Sequence, residues 1–267
     1  MSSTSSTPKP LVDCQNVTVS YKAPRAGIFG KRSQFLALND VTLRIESGES
    51  LGIVGSSGAG KTTFAKVISG QVRPSAGTFE FRGSEPSPKD KEKYREFRRS
   101  VQYVFQNPKS SFDPRIRIGR ALIEPLRSLK IEGDYDEKVM HSLGTVGLDK
   151  AVFGRYPHEL SGGQLQRAAI ARALVVKPKL LIADEPASSL DVSIRAQILN
   201  LFKELGDTGD LTLVLIAHDL AAVAHTSRKL AVFESGRVVE GGLALEILKN
   251  PQSDAAKRLV EANLAIV

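Results

Sequence analysis

Gly55-Ser56-Ser57-Gly58-Ala59-Gly60-Lys61-Thr62-Thr63 brings glycines, a lysine and adjacent hydroxyls into one short run, and it matches G-x-x-x-x-G-K-[ST] at every fixed position. Glycines at 55, 58 and 60 let backbone N–H groups approach an anion with no side chain in the way. Lys61 supplies charge for the β/γ oxygens of a nucleotide, and the Thr62 hydroxyl can complete a Mg²⁺ shell. Further along, Leu180-Leu-Ile-Ala183 is an apolar run ending in Asp184-Glu185. Carboxylates at the C-terminal end of a strand lie where ligands bind in open α/β sheets. Because side chains alternate along a strand, the two are expected to take different jobs. Asp184 would hold Mg²⁺, and Glu185 would act as general base on an attacking water. His218 follows a second apolar run, Leu213–Ala217, and from a strand end could reach the same phosphate or steady Glu185. His141, His158 and His225 are read as structural.

These groups need a frame that delivers several strand ends to one place. Leu51–Val54 runs straight into the glycine loop, and the helical stretch Lys61–Ser69 leaves it, so the helix N-terminus adds its partial positive charge to the same anion. Leu180–Ala183 and Leu213–Ala217 are apolar without alternation, the pattern of strands buried on both faces. Strands separated by helices predict an α/β core with a parallel sheet. Leu11–Tyr21, Ala37–Ile45 and Gly77–Arg82 read as further strands, with Val17, Val19 and Tyr21 sharing one side of the first. Lys22–Ser33 reads as a loop. Pro88–Arg99 reads as a solvated, charged helix, and residues 107–176 as mostly helical. Leu230–Phe233 and Arg237–Glu240 form a hairpin about Glu234-Ser-Gly236, followed by helical pieces.

Composition bounds the class. The chain has 267 residues, 41% hydrophobic and 25% charged, which excludes wholesale disorder and collagen-like repeats. Leu211–Ala217 is among the longest apolar runs, far short of the ~18 residues of a spanning helix. The first ten residues are polar and read as a disordered tail without the apolar region of a secretory signal. Cys14 is the sole cysteine, leaving no intramolecular disulfide. A cytoplasmic chain is expected. Its net charge of +8 is open to nucleic acid, anionic lipid, nucleotide phosphates or simple solubility.

Between the two phosphate-site motifs lies Leu160-Ser-Gly-Gly-Gln-Leu-Gln-Arg167. It resembles the signature of ABC-type ATPases, and the companion motifs occur in that family's order. Walker A is Gly55–Thr62, the Q-loop glutamine Gln106, Walker B Leu180–Glu185, the D-loop Ser189-Leu-Asp191 and the switch histidine His218. Tyr21 matches the aromatic that stacks on adenine. The resemblance covers about Leu11 to Glu240. It implies an α/β fold: a P-loop NTPase core of ABC type with an antiparallel β subdomain and an α-helical subdomain. The expected layout is a disordered tail over 1–10, an ATPase domain over 11–245 with the helical part at 107–176, and a short helical extension over 246–267. ATP and Mg²⁺ are the implied cofactors, with Thr62, Gln106 and Asp184 on the metal. Lys61, Gln106, Glu185 and His218 are the implied catalytic set.

Ser161 is a good N-cap for the helix Gly163–Val175, leaving N–H groups bare for an anion. The resemblance implies that this anion is the γ-phosphate of a partner subunit in a head-to-tail dimer with two sandwiched ATP molecules. Ser161, Gly163 and Gln164 would then act across the interface, and Asp191 would link the two sites. The segments Phe105–Arg115, Arg155–Leu160 and Leu190–Ile198 are similar to the ATP-binding subunits of oligopeptide, dipeptide and nickel importers. That branch implies a second ATP-binding subunit, identical or homologous, two membrane permeases and an extracytoplasmic solute-binding protein. The chain would sit peripherally on the cytoplasmic face of the inner membrane, and the segment after Gln106 would form the groove for a permease helix.

The departures are few. Relatives with a cysteine-rich C-terminal extension can hold an iron–sulfur cluster there, which is not expected in this chain. Asn250-Pro-Gln-Ser-Asp254 replaces the commoner Asn-Pro-Gln-His-Pro-Tyr, and Thr62-Thr63 replaces Ser-Thr but keeps the hydroxyl. Two other classes differ from this pattern. An ABC ATPase acting on nucleic acid or ribosomes would show fused halves or long coiled coils, and the sequence has one motif set and no sustained heptads. A non-hydrolysing regulatory partner would lack the glutamate or have a degraded signature, whereas Glu185 and Ser161–Gln164 are intact.

Overall fold

In chain order the elements of the computed structural model are β1 (Val12–Lys22), β2 (Gln34–Ile45), β3 (Ser50–Gly55), α1 (Lys61–Ile68), β4 (Ala76–Phe81), α2 (Lys91–Ser100), β5 (Val101–Val104), α3 (Ile118–Ser128), α4 (Tyr135–Thr145), α5 (Gly162–Leu174), β6 (Leu180–Asp184), α6 (Val192–Asp207), β7 (Thr212–Ile216), α7 (Leu220–Thr226), β8 (Lys229–Glu234), β9 (Arg237–Leu243), α8 (Ala244–Lys249) and α9 (Asp254–Leu264). The structure describes residues 9–22 and 34–264. The tail expected over 1–10 and the loop expected over 22–33 therefore fall largely outside the described residues, as does the end of the C-terminal extension.

Two sheets divide the work. β2-β1-β4 form a three-stranded antiparallel sheet, and β5-β6-β7-β3-β8-β9 form a six-stranded sheet. The latter is parallel except for β9, which turns back on β8. Its strands lack alternating polarity because both faces are buried. Leu51 and Ile53, Leu180 and Ile182, Val214 and Ile216 pack on one side, with the antiparallel sheet and Phe64 of α1. Val54, Leu181 and Ala183, Leu213 and Leu215 point the other way, toward α3–α7. Each side chain of this kind taken fully out of water contributes about 1.5–3 kcal/mol. Phe64 is fully buried and meets the Phe233 ring at 5.4 Å.

Two expectations are modified, and one strand is new. Along β1 the pairing slips between Cys14 and Val17 and again beyond it, so Cys14, Val17 and Val19 are all buried while Tyr21 is 41% exposed. β-Bulges re-aim side chains in this way. Helix α2 is solvated except for Ser100 at its end and Phe97, whose ring packs edge-on against Phe79 and Phe81. β5 was not foreseen; only Val101 and Val104 of its four residues are buried, too short a pattern to read as a strand.

The β8–β9 turn is tied beneath the glycine loop. Gly236 N–H donates to the Ala59 carbonyl at 3.0 Å, and Asn39 N–H donates to the Gly236 carbonyl at 2.8 Å. A Cβ on Gly236, whose φ is +78°, would stand 3.0 Å from the Ala37 carbonyl oxygen.

Candidate functional site

The loop 55–61 starts where β3 ends, in the middle of the parallel strands. Gly55 and Gly60 are there because no other residue fits. A Cβ on Gly55 would lie 2.2 Å from the Phe233 carbonyl oxygen. Gly60 has a φ of +105°, and a Cβ on it would lie 2.6 Å from that of Ala37. Gly60 caps α1 without any side-chain acceptor, so the first-turn N–H groups stay available to an anion. Lys61 folds back over the loop: Nζ donates to the carbonyls of Gly55 at 2.8 Å and Ser56 at 2.9 Å. Burial pulls its ammonium below the ordinary lysine value, while the charges of Glu185 and Asp184 push it back up. Ser56 and Ser57 are exposed, Ala59 is buried, and Thr63 is half-buried on the first turn of α1.

Asp184 ends β6 with both carboxylate oxygens engaged. Thr62 Oγ1 donates to Oδ1 at 3.3 Å, and Tyr103 Oη donates to Oδ2 at 2.7 Å. Glu185 turns the other way, but simple strand alternation is not the reason. It lies beyond β6 in the left-handed region, at φ +49°, and its N–H donates to the Ile216 carbonyl at 2.9 Å. Its carboxylate is bracketed from two strand ends: Gln106 Nε2, after β5, donates to Oε2 at 2.9 Å, and His218 Nδ1, after β7, lies 3.4 Å from Oε1. Gln106 also donates to Ser188 Oγ at 3.2 Å, and Ser188 Oγ donates to the Glu185 carbonyl at 3.1 Å. Gln106 thus stands on the Glu185 side of the site, and its Oε1 is the atom with which it could meet a cation.

Lys61, Thr62, Gln106, Asp184, Glu185 and His218 are therefore brought together. Ser161, Gly163, Gln164, Asp191 and Tyr21 are not; none of their side chains hydrogen-bonds to this cluster among the described residues. Ser161 and Gln164 instead complete a capping box, with Gln164 N–H donating to Ser161 Oγ at 3.2 Å and Ser161 N–H to Gln164 Oε1 at 3.1 Å. Gly163 is buried against α6, and a Cβ there would meet Ile194 Cγ2 at 2.7 Å. Asp191 sits at the N-terminus of α6 without a side-chain capping bond, beside the highly exposed Val192. Tyr21 stands opposite Phe35 at the open end of β1.

Tyr103 and Ser188 escaped the sequence reading. Tyr103 depends on β5 lying beside β6, with Tyr103 level with Ile182. The one available signal was an aromatic three positions before Gln106, in a strand that sequence pattern did not reveal. Taken together the arrangement can cradle a polyphosphate at the loop. It can place a cation between a hydroxyl and a carboxylate, and it holds a second carboxylate ready to accept a proton.

Comparison with known proteins agrees with that chemistry. The sequence profile described as "ABC transporter" matches residues 38–188. The di/tripeptide transport ATP-binding protein DppF of Pseudomonas aeruginosa (strain UCBPP-PA14) is 40% identical over 258 residues, covering 96% of this chain and 80% of that protein. The oligopeptide transport ATP-binding protein OppF of Salmonella typhimurium (strain LT2) is 44% identical over 229 residues, 85% of this chain and 69% of that one. Among solved structures, a dimeric ATP-binding cassette in a post-hydrolysis state with ADP and Pi superposes with a TM-score of 0.76 at 27% identity. It covers 87% of this chain and 98% of that one. The cbiO1 protein of Clostridium perfringens, part of an ABC transporter complex, gives a TM-score of 0.76 at 25% identity over 97% of each chain.

Proposed function

Because the chain belongs to the ABC transporter family of ATP hydrolases, we propose that it is the ATP-binding and hydrolysing subunit of a membrane importer that drives peptide uptake through separate permease subunits. Peptides are the solute class that the names of its relatives support; nickel-type solutes rest on the sequence resemblance alone. Acting on nucleic acid or ribosomes is the weaker alternative, since those relatives are transport proteins.

The nucleotide phosphates lie on the loop Gly55–Thr63, with Lys61 on the β/γ oxygens and the open end of α1 beneath them. Mg²⁺ fits beside Thr62 and Asp184: the donors are oxygens, as this cation prefers, and the hydroxyl already approaches the carboxylate to 3.3 Å. When bound, Mg²⁺ neutralises charge on the phosphate oxygens. Glu185 takes the proton of the water that attacks the γ-phosphate. Gln106 and His218 hold its carboxylate toward that water, and this bracketing of Glu185 is the observation that carries the reading.

A second ATP-binding subunit completes each site. Ser161, Gly163 and Gln164 serve the nucleotide of the partner, which accords with their standing apart from their own chain's cluster, and Asp191 links the two sites. Tyr21 stacks on adenine. Permease segments dock in a groove of about 650 Å³ between β5, α3 and α5, lined by Val104, Phe105, Ser110, Glu124, Ser128 and Arg172. The protein works peripherally, on the cytoplasmic face of the membrane, with an extracytoplasmic binding protein delivering the solute. Among the described residues no helix is long and apolar enough to cross a membrane.

The Glu185→Gln variant tests this. Loss of a general base costs about 10²–10⁴-fold in turnover, and an ATP-bound dimer should accumulate on size exclusion. Turnover at the wild-type rate would remove Glu185 from its role.

A further inference from the structure

Among the described residues, Tyr103 is the one side chain that hydrogen-bonds to Asp184 without belonging to any motif in the sequence. Its ring sits on β5, the edge strand of the parallel sheet, level with Ile182 of β6, and the long side chain reaches forward to the strand end. Its hydroxyl donates to Asp184 Oδ2 at 2.7 Å, while Oδ1 accepts from Thr62 at 3.3 Å. A carboxylate held at both oxygens cannot rotate freely. The Tyr103 ring stands 4.7 Å from that of Phe105 and lines the groove between β5, α3 and α5.

We propose that Tyr103 is a positioning residue that pre-sets the Asp184 carboxylate for nucleotide-bound Mg²⁺. This rests on the reading of Asp184 as the metal-side carboxylate. The hydroxyl is what distinguishes this role from packing. A phenylalanine would fill the same space without taking a polar group out of water. The phenol O–H donates where the Asp184 carboxylate offers only acceptors. Partners that orient a metal-ligating carboxylate typically change metal affinity by about 10–100-fold when removed.

Tyr103→Phe keeps the ring and deletes the donor. Binding of a non-hydrolysable ATP analogue is measured by calorimetry, once across a Mg²⁺ titration and once in EDTA, with Asp184→Asn alongside. In Tyr103→Phe the half-saturating Mg²⁺ concentration should rise about tenfold, with EDTA binding and the thermal midpoint as in wild type. A Mg²⁺ response unchanged in Tyr103→Phe but lost in Asp184→Asn overturns the role of Tyr103 and leaves Asp184 in place. Equal weakening with and without Mg²⁺ also overturns it, since that is the mark of general damage. If neither variant alters the Mg²⁺ response, Asp184 is not the metal-side carboxylate and the positioning role falls with it.

Discussion

Lys61 lies under opposing influences, desolvation against its charge and two carboxylates in favour of it. An incoming polyphosphate adds to the second and should fix the ammonium as charged. A charge-assisted hydrogen bond contributes about 1.5–3 kcal/mol, so Lys61→Met should weaken binding of an ATP analogue by roughly 10–100-fold. Because the free ammonium titrates below the usual lysine value, its charge is present at low pH and lost as pH rises. Wild-type affinity should therefore begin to fall before the ordinary lysine range is reached, and Lys61→Met should flatten that profile; equilibrium titrations across alkaline pH measure both. At this scale the groups lying inside contiguous motifs were legible in the sequence: Gly55–Thr63, Asp184-Glu185 and, from its place after an apolar run, His218. Tyr103 and Ser188 were not, because each acquires its place from a neighbouring strand or turn. The opposite headings of Asp184 and Glu185 were foreseen on the wrong ground, since a left-handed residue past the strand end produces them.

Between elements, α5 packs against α6 at the signature segment. Gly163 is buried there, and a Cβ would press within 2.7 Å of Ile194 Cγ2. Gly163→Ala should destabilise the chain by about 1–3 kcal/mol through overpacking, measured by chemical denaturation. Trimming the neighbour with Ile194→Ala in the same chain should recover part of that loss. A penalty that is the same with and without Ile194 would place its origin elsewhere. The apolar strands β6 and β7 announced themselves as buried on both faces, and the two packed sides show why they carry no polar alternation; β3 was legible as a short apolar strand entering the glycine loop. β5 stayed hidden because four residues with two buried positions cannot show a period. The slips in β1 also lie beyond a rule of strict alternation, since they depend on how it pairs with β2 and β4.

At the level of the whole molecule, sequence foresaw a parallel sheet and helices but not the strand order, which crossover connections impose only in three dimensions. That order places β3 between β7 and β8, so the glycine loop is flanked by the end of β7 with His218 and by the hairpin of β8 and β9. Ser235–Gly236, at the hairpin tip, has the look of a permissive surface turn, the kind commonly chosen for inserting an epitope or a fluorescent reporter. Its two backbone hydrogen bonds, to Ala59 and Asn39, give it the opposite character. A short Gly-Ser insert between Ser235 and Gly236 should abolish nucleotide-analogue binding, while the same insert between Gly133 and Asp134 should leave it within about twofold, because the Asp134 cap of α4 is preserved. For anyone engineering this chain, or tracing which lengths of loop its descendants can tolerate, the hairpin tip is closed ground: a keystone carved to look like ornament.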